Sequence, residues 1–182
     1  MNNFGLVVIG AHSGVWLSSL LDEHKDKNIL LVEPVPYNIN LLKENTTKYK
    51  NITIETSAVS EKNEIKKFYY VKHDAVKKLG KHWASGIGSF DKQHILNHKY
   101  KRFMVTQTDI EEIDVQYLTF SNLMEKYSVS SIDLLQIDVE GAEFQILNSI
   151  NFEKIEIKKI IFEFKHFDGT FQEGKKLAEI KN

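Results

Sequence analysis

The chain has 182 residues, the length of one globular domain with a substantial core. Its formal net charge is −1, so composition predicts no general attraction to nucleic acid or to a membrane surface. The absence of cysteine excludes disulfides, thiolate nucleophiles and cysteine metal sites. No apolar run is long enough to cross a bilayer and no signal peptide precedes the first strand, so we expect a cytoplasmic protein.

A short apolar run, Leu6–Ile9, leads into a glycine turn and then into a helix predicted over 13–24. Such a run is typical of a parallel strand that is covered on both faces. Gly10 and Gly14 bracket the turn, which exposes backbone N–H groups that stabilise an anionic group. His12 stands where a dinucleotide-binding turn needs its second glycine, and its β-carbon argues against NAD or FAD. The turn therefore favours a ligand with a smaller anionic end.

A second apolar strand, predicted over 28–33, ends in an acid. Glu33 is thereby placed to accept hydrogen bonds from both hydroxyls of a ribose. A small anionic group together with a ribose fits S-adenosylmethionine (SAM), which has a carboxylate at one end and adenosine at the other. A nicotinamide-dependent oxidoreductase stays open as a different reading of the same turn.

The chain continues by alternating strands and helices. The remaining predicted elements are a helix from Pro36 to about Asn45, strands over 52–59 and 64–71 (the second a candidate antiparallel addition), part of 103–115, a helix capped by Thr119 or Ser121, a strand over 132–138, a short helix after Glu143, a strand over 159–164 and a polar helix over 170–181. This order predicts one α/β domain over 1–182 with a doubly wound, mostly parallel sheet.

The segment 72–102 differs in composition from the rest. It carries eight Lys or Arg residues against two Asp, and a stretch over 84–89 that is predicted to be flexible. Two interpretations stay open: a mobile basic lid that receives an anionic acceptor, and a solvated insertion. Its histidines show no metal-ligand spacing, and most of them are expected at the surface.

Three motifs, in this order, resemble the FkbM family of SAM-dependent methyltransferases. They are Gly10-Ala11-x-x-Gly14 after the first strand, Glu33-Pro34 after the second, and the block Asp138-Val139-Glu140-Gly141-Ala142-Glu143 after the strand over 132–138. The resemblance covers about residues 6–166, and the last block is its specific part.

The resemblance implies a Rossmann-like methyltransferase domain that binds SAM above the carboxyl ends of its strands and methylates a hydroxyl oxygen, often of a saccharide. By position, the implied cofactor-binding residues are Gly10, Ala11 and Gly14 at the methionine end, Glu33 at the ribose, Ser57 or Ala58 at the adenine, and Asp138 beside the amino group and the acceptor. The acceptor is expected to be a small molecule or a glycan, and the basic composition of segment 72–102 is compatible with an anionic one.

The sequence also departs from the family pattern. Val8 stands where the first motif has an acid, and Ser121 stands where the helix has one. The chain after His166 is too short for the C-terminal antiparallel hairpin, so we expect this hairpin to be missing. The strand over 159–164 would then lie near a sheet edge, which predicts a homodimer or a tail folded over the edge. A SAM-binding domain without turnover is the alternative function.

Asp138 is the leading candidate for orienting the acceptor hydroxyl or taking its proton. Bonding to backbone N–H groups or to the SAM amine is its alternative role. His12 and His166 are alternative bases. Mg²⁺ bound by Asp138, Glu140 and Glu143 ranks below a metal-free reaction, so no metal is expected.

Overall fold

The structure is a computed structural model that describes residues 2–80, 82–97, 99–100 and 103–163. The strands are β1 (Asn2–Ile9), β2 (Asn28–Val32), β3 (Ile52–Glu55), β4 (Ala58–Val59), β5 (Glu64–Val71), β6 (Gly88–Ser89), β7 (Lys99–Tyr100), β8 (Phe103–Met104), β9 (Ile110–Leu118), β10 (Val129–Ile137), β11 (Glu156–Ile157) and β12 (Ile160–Phe162). The α-helices are α1 (Ser18–Glu23), α2 (Pro36–Thr46), α3 (His73–Leu79), α4 (Lys92–Asn97), α5 (Phe120–Lys126) and α6 (Glu143–Asn148).

The main sheet has the strand order β3-β2-β1-β10, and β11 and β12 pair one after the other with the far edge of β10. All of these pairs are parallel. This arrangement confirms the predicted α/β fold with a doubly wound, mostly parallel sheet. The strand order reverses between β1 and β10, which is where ligands bind in open sheets of this kind.

Side chains that alternate along β1 enter two different cores. Val7 and Ile9 pack on the face covered by α5 and α6, whereas Leu6 and Val8 pack on the face covered by α1 and α2. All four are at most 1% exposed. The two cores explain why β1 reads as a continuous apolar run rather than an alternating one.

A second sheet, with the order β4-β9-β5-β6, stands beside the carboxyl end of β3. The prediction that β5 is an added antiparallel strand is confirmed, because β5 pairs antiparallel with β9. The prediction of one strand over 52–59 is wrong, because β3 and β4 belong to different sheets. The buried Glu55 carboxylate causes the break: it accepts hydrogen bonds from Ser57 N (3.0 Å) and Lys126 Nζ (2.6 Å) and turns the chain between the sheets.

The described part of segment 72–102 is folded. It contains α3, the 3₁₀ helix His82–Gly86, β6 and α4. Its buried apolar side chains form a small core with one residue each from β5, β9 and the loop before β9: Val71, Ala75, Ala84, Ile87, Ile95, Val105 and Ile110. The stretch over 84–89 was predicted to be flexible, but it forms the end of the 3₁₀ helix and β6. Whether the segment moves as a lid stays a prediction.

The structure defines where two of the predicted helices begin. The helix over 13–24 begins as the 3₁₀ helix Val15–Leu17, and its first turn leaves Trp16 74% exposed. For α5, Thr119 is the cap: its Oγ1 accepts a hydrogen bond from Asn122 N at 3.1 Å. The predicted helix over 170–181, His166 and the question of the C-terminal hairpin lie outside the described residues. No helix in the described part of the chain has the length and apolarity needed to cross a bilayer.

Backbone hydrogen bonds align the carboxyl ends of the central strands. Asp138 N donates to Ile9 O (2.9 Å), Gly10 N to Val32 O (3.0 Å) and Glu33 N to Glu55 O (3.0 Å). Gly10 has a φ of 89°, and a β-carbon there would lie 1.8 Å from the carbonyl oxygen of Asp138. Only glycine therefore allows β1 and β10 to end side by side.

We predict that Gly10→Ala destabilises the protein by about 2–5 kcal/mol. Overpacking of about 1–3 kcal/mol adds to a left-handed backbone strain of about 1–2 kcal/mol. Gly80→Ala is the matched control, because Gly80 also has a positive φ (63°) but open space around its α-carbon. Urea unfolding of both variants measures the difference. Equal losses of stability in the two variants would show that the close contact with Asp138 O does not contribute to the destabilisation.

Candidate functional site

A cavity of about 470 Å³ opens where β1, β2 and β10 end. Its volume lies within the range of small-molecule sites. The ends of the main sheet form one wall, and the second sheet and residues 86–94 form the opposite wall. The cavity therefore stands at the reversal point of the strand order.

Five of the seven residues proposed for the cofactor line this cavity: Gly10, Glu33, Ser57, Ala58 and Asp138. The other two lie behind the wall. Ala11 is 2% exposed and belongs to the core that includes Leu42. At Gly14, a β-carbon would lie 2.6 Å from Leu42 Cδ1, so this glycine lets α2 pack against the turn.

Glu33 faces the cavity with a carboxylate that the surrounding backbone holds in place. Its Oε2 accepts a hydrogen bond from His12 N (2.9 Å), and its Oε1 accepts from Val35 N (3.0 Å) and Asn38 Nδ2 (3.3 Å). Burial raises the pKa of Glu33 to about 7, although these donors oppose the shift. Oε2 accepts one bond from the described residues and keeps a lone pair for a ligand hydroxyl.

Ser57 presents a buried hydroxyl to the same cavity. Ser57 is only 2% exposed, and its Oγ has no hydrogen-bond partner among the described residues. Ser57 N is fixed by Glu55 Oε1 at 3.0 Å. A buried hydroxyl without a partner costs about 1–3 kcal/mol, so the site gains stability when a ligand supplies one.

Asp138 and Glu143 both follow β10, but their carboxylates have different surroundings. Glu143 is fully buried, and its carboxylate accepts hydrogen bonds from Val139 N (2.8 Å) and Gly141 N (2.9 Å). The Asp138 carboxylate opens to the cavity and accepts no hydrogen bond from the described residues. Burial on its other sides, with Glu140 nearby, raises the pKa of Asp138 to about 6. One alternative role predicted for Asp138 is to accept hydrogen bonds from backbone N–H groups. In the structure, Glu143 has this role.

Two of the three acids that cluster at this edge, Asp138 and Glu143, belong to the predicted set, but the third differs. Ligand atoms of Asp138, Glu143 and Glu163 lie within 4.8 Å of one another, whereas Glu140 is outside this group. Both Glu143 oxygens already accept backbone N–H groups. The group could hold a cation, but the metal-free reading stays our prediction.

His12, considered as an alternative base, links the glycine turn to segment 72–102. Its Nε2 lies 2.7 Å from Ser85 Oγ, and its Nδ1 lies 3.3 Å from Ser13 Oγ. Asn38 Nδ2 donates to Ser85 O at 2.9 Å as well as to Glu33. Both ring nitrogens of His12 thus have neighbouring hydroxyls, which favours a structural role over proton transfer.

The wall opposite the sheet ends was not predicted from the sequence. Its aromatic and polar members are Phe68, Ser89, Phe90, Asp91, His94 and Tyr117. Most histidines of segment 72–102 are expected at the surface, whereas His94 is only 7% exposed. Pairing of β6 with β5 brings these residues to the cavity, and this non-local contact leaves no motif in the sequence.

Two lysines described in segment 72–102, Lys72 and Lys78, contact residues 108 and 109. Lys78 Nζ pairs with Asp109 Oδ1 at 3.3 Å, Lys72 Nζ donates to Thr108 O at 2.9 Å, and no lysine described in this segment lines the cavity. Val8, where the resemblance suggests an acid, is 0% exposed and is a core residue. An acid at that position would have to be buried.

Comparison with known proteins agrees with this geometry. The family model of the methyltransferase FkbM domain matches residues 9–181, which is nearly the whole chain. Searches of curated proteins and of solved structures give no significant match. The match spans the glycine turn, Glu33 and the block that begins at Asp138. The chain therefore belongs to the FkbM methyltransferase family.

Proposed function

We propose that this protein is a SAM-dependent O-methyltransferase that acts on a hydroxyl of a saccharide or a similar molecule. The observation that carries the proposal is the pair of cavity-facing carboxylates, Glu33 and Asp138, on either side of Gly10. When bound, SAM supplies an electrophilic methyl group on a sulfonium.

The residues present fit this cofactor. Glu33 keeps an acceptor lone pair for a ribose hydroxyl, and the Ser57 hydroxyl lacks a partner among the described residues. Ala58 and Val59 add an apolar surface suited to an adenine ring. Asp138 borders the end of the cavity next to Gly10, where an ammonium or an acceptor hydroxyl is stabilised by its charge.

Asp138 also supports a hydroxyl acceptor. Methylation of a hydroxyl requires removal of its proton, and a base is most effective when its pKa is near the working pH. The pKa of Asp138 is raised to about 6 by burial and by Glu140. We therefore assign to Asp138 the orientation of the acceptor hydroxyl and the removal of its proton.

We predict that Glu33→Gln weakens binding of SAM and of S-adenosylhomocysteine by about 1.5–3 kcal/mol, the value of a hydrogen bond to a charged group. The amide keeps the volume of the side chain but removes its charge. Isothermal calorimetry measures the change, and circular dichroism confirms the fold. Glu64→Gln, at an exposed position of β5, is the control. Unchanged affinity in folded Glu33→Gln would refute the ribose assignment, and binding of NADH instead of SAM would refute the proposed function.

We predict that Asp138→Asn lowers kcat by about 100-fold or more, the usual contribution of a general base. In the unmutated protein the rate should rise with pH through about 6 and then level off, because the base must be ionised and burial has raised its pKa to about 6. The variant should lose this limb of the profile. Formation of S-adenosylhomocysteine with a neutral methyl glycoside as acceptor provides the readout.

The competing role of Asp138 is to hold the cofactor's ammonium. Calorimetry with SAM on Asp138→Asn separates the two roles. Our assignment predicts a much smaller change in SAM affinity than in kcat. A loss of affinity as large as the loss of kcat, with the pH limb retained, would contradict it.

A further inference from the structure

We propose that the wall opposite the sheet ends selects an uncharged, polyhydroxylated acceptor, such as a neutral sugar ring, and excludes anionic ones. This inference rests on the proposed function. It replaces the expectation of an anionic acceptor, which was based on the lysine content of segment 72–102.

The shape and chemistry of the wall suit a sugar ring. Phe90, which is 37% exposed, and the half-buried Phe68 supply aromatic surface against which the C–H face of a sugar ring packs. Ser89, Asp91 and His94 stand between them as hydrogen-bonding groups. Apolar rings interspersed with a few polar groups match a ring that has hydroxyls at its rim.

Asp91 is the polar group best placed to accept a hydroxyl proton. Its Oδ1 caps α4 by accepting a hydrogen bond from Gln93 N at 2.8 Å. Its Oδ2 accepts no hydrogen bond from the part of the chain that the structure describes, and Asp91 lines the cavity. One oxygen therefore holds the helix while the other faces a ligand.

The charge of the cavity lining also favours an uncharged acceptor. Asp91 and Asp138 each have a carboxylate oxygen that accepts no hydrogen bond from the described residues, and no lysine or arginine occurs among the described lining residues. Lys66 Nζ lies 5.1 Å from the centroid of the Phe90 ring but is not a lining residue. SAM carries a net charge of only about +1, so an acceptor carboxylate or phosphate would be repelled by these two carboxylates.

The wall is held in place from two sides. β6 pairs with β5 through Tyr69–Ser89 and Tyr70–Gly88, and Ser85 contacts His12 and Asn38 next to Glu33. A β-carbon at Gly88 would lie 2.7 Å from Phe68 Cζ, so glycine lets β6 close onto the aromatic wall. Because the wall is already ordered, binding of an acceptor does not have to supply the free energy of ordering it.

The test is binding of a sugar panel to the protein saturated with S-adenosylhomocysteine, followed by saturation-transfer NMR. The probes are methyl glycosides of neutral hexoses, the matching hexuronates and the hexose 6-phosphates. We expect neutral glycosides to bind and both anionic sets to bind at least about tenfold more weakly at low salt, where repulsion is not screened. Equal or tighter binding of the anionic sets, or no binding of the neutral set, would overturn the inference.

Two variants test the wall itself. Asp91→Asn removes the charge but keeps a capping oxygen, since Asn is as good an N-cap as Asp, and should weaken the neutral glycoside about tenfold while narrowing its advantage over the anionic sets. Its control is Asp74→Asn, in the first turn of α3 and away from the cavity. Phe90→Ala should weaken binding of the neutral glycoside by a similar factor. Phe152→Ala, at another exposed phenylalanine, should leave this affinity unchanged.

The outcomes separate this inference from the proposed function. If S-adenosylhomocysteine itself does not bind, the proposed function fails and the inference fails with it. If it binds and neither Asp91→Asn nor Phe90→Ala changes sugar binding, only the inference is overturned. Retained S-adenosylhomocysteine affinity in both variants shows that the cofactor half of the cavity is intact.

Discussion

The close approach of β1 and β10 at Gly10 is the constraint on which the rest of the site depends. The absence of a β-carbon at this position lets Ile9 O accept the N–H of Asp138, so that the two strands end level. Glu33 reaches the same edge because Gly10 N donates to Val32 O. Without this contact, the two carboxylates that define the cavity would not share one edge of the sheet.

The carboxylates at this edge serve two different purposes. Glu143 and Glu55 use their oxygens to hold backbone N–H groups, and Glu55 also pairs with Lys126. Although burial opposes it, contact with Lys126 and Tyr127 lowers the pKa of Glu55. In the described part of the chain, neither Glu33 nor Asp138 pairs with a cation, and burial raises the pKa of each. A cationic cofactor would complement the negative charge of these two carboxylates.

Local patterns predicted the main sheet and its ligand-facing edge. The apolar runs of β1, β2 and β10 and the acids that follow them depend only on short stretches of sequence. The break after β3 was missed because Lys126 and Tyr127, far along the chain, hold Glu55. The opposite wall was missed for the same reason: it depends on β6 pairing with β5, and composition suggested only a basic insertion.

The most direct test of the central claim is a crystal structure of the chain with S-adenosylhomocysteine. The account predicts the ligand in the cavity at the ends of β1, β2 and β10, with its ribose hydroxyls on Glu33, its adenine beside Ser57 and its amino-acid end near Gly10 and Asp138. A ligand bound elsewhere, or a ribose that makes no contact with Glu33, would contradict the account.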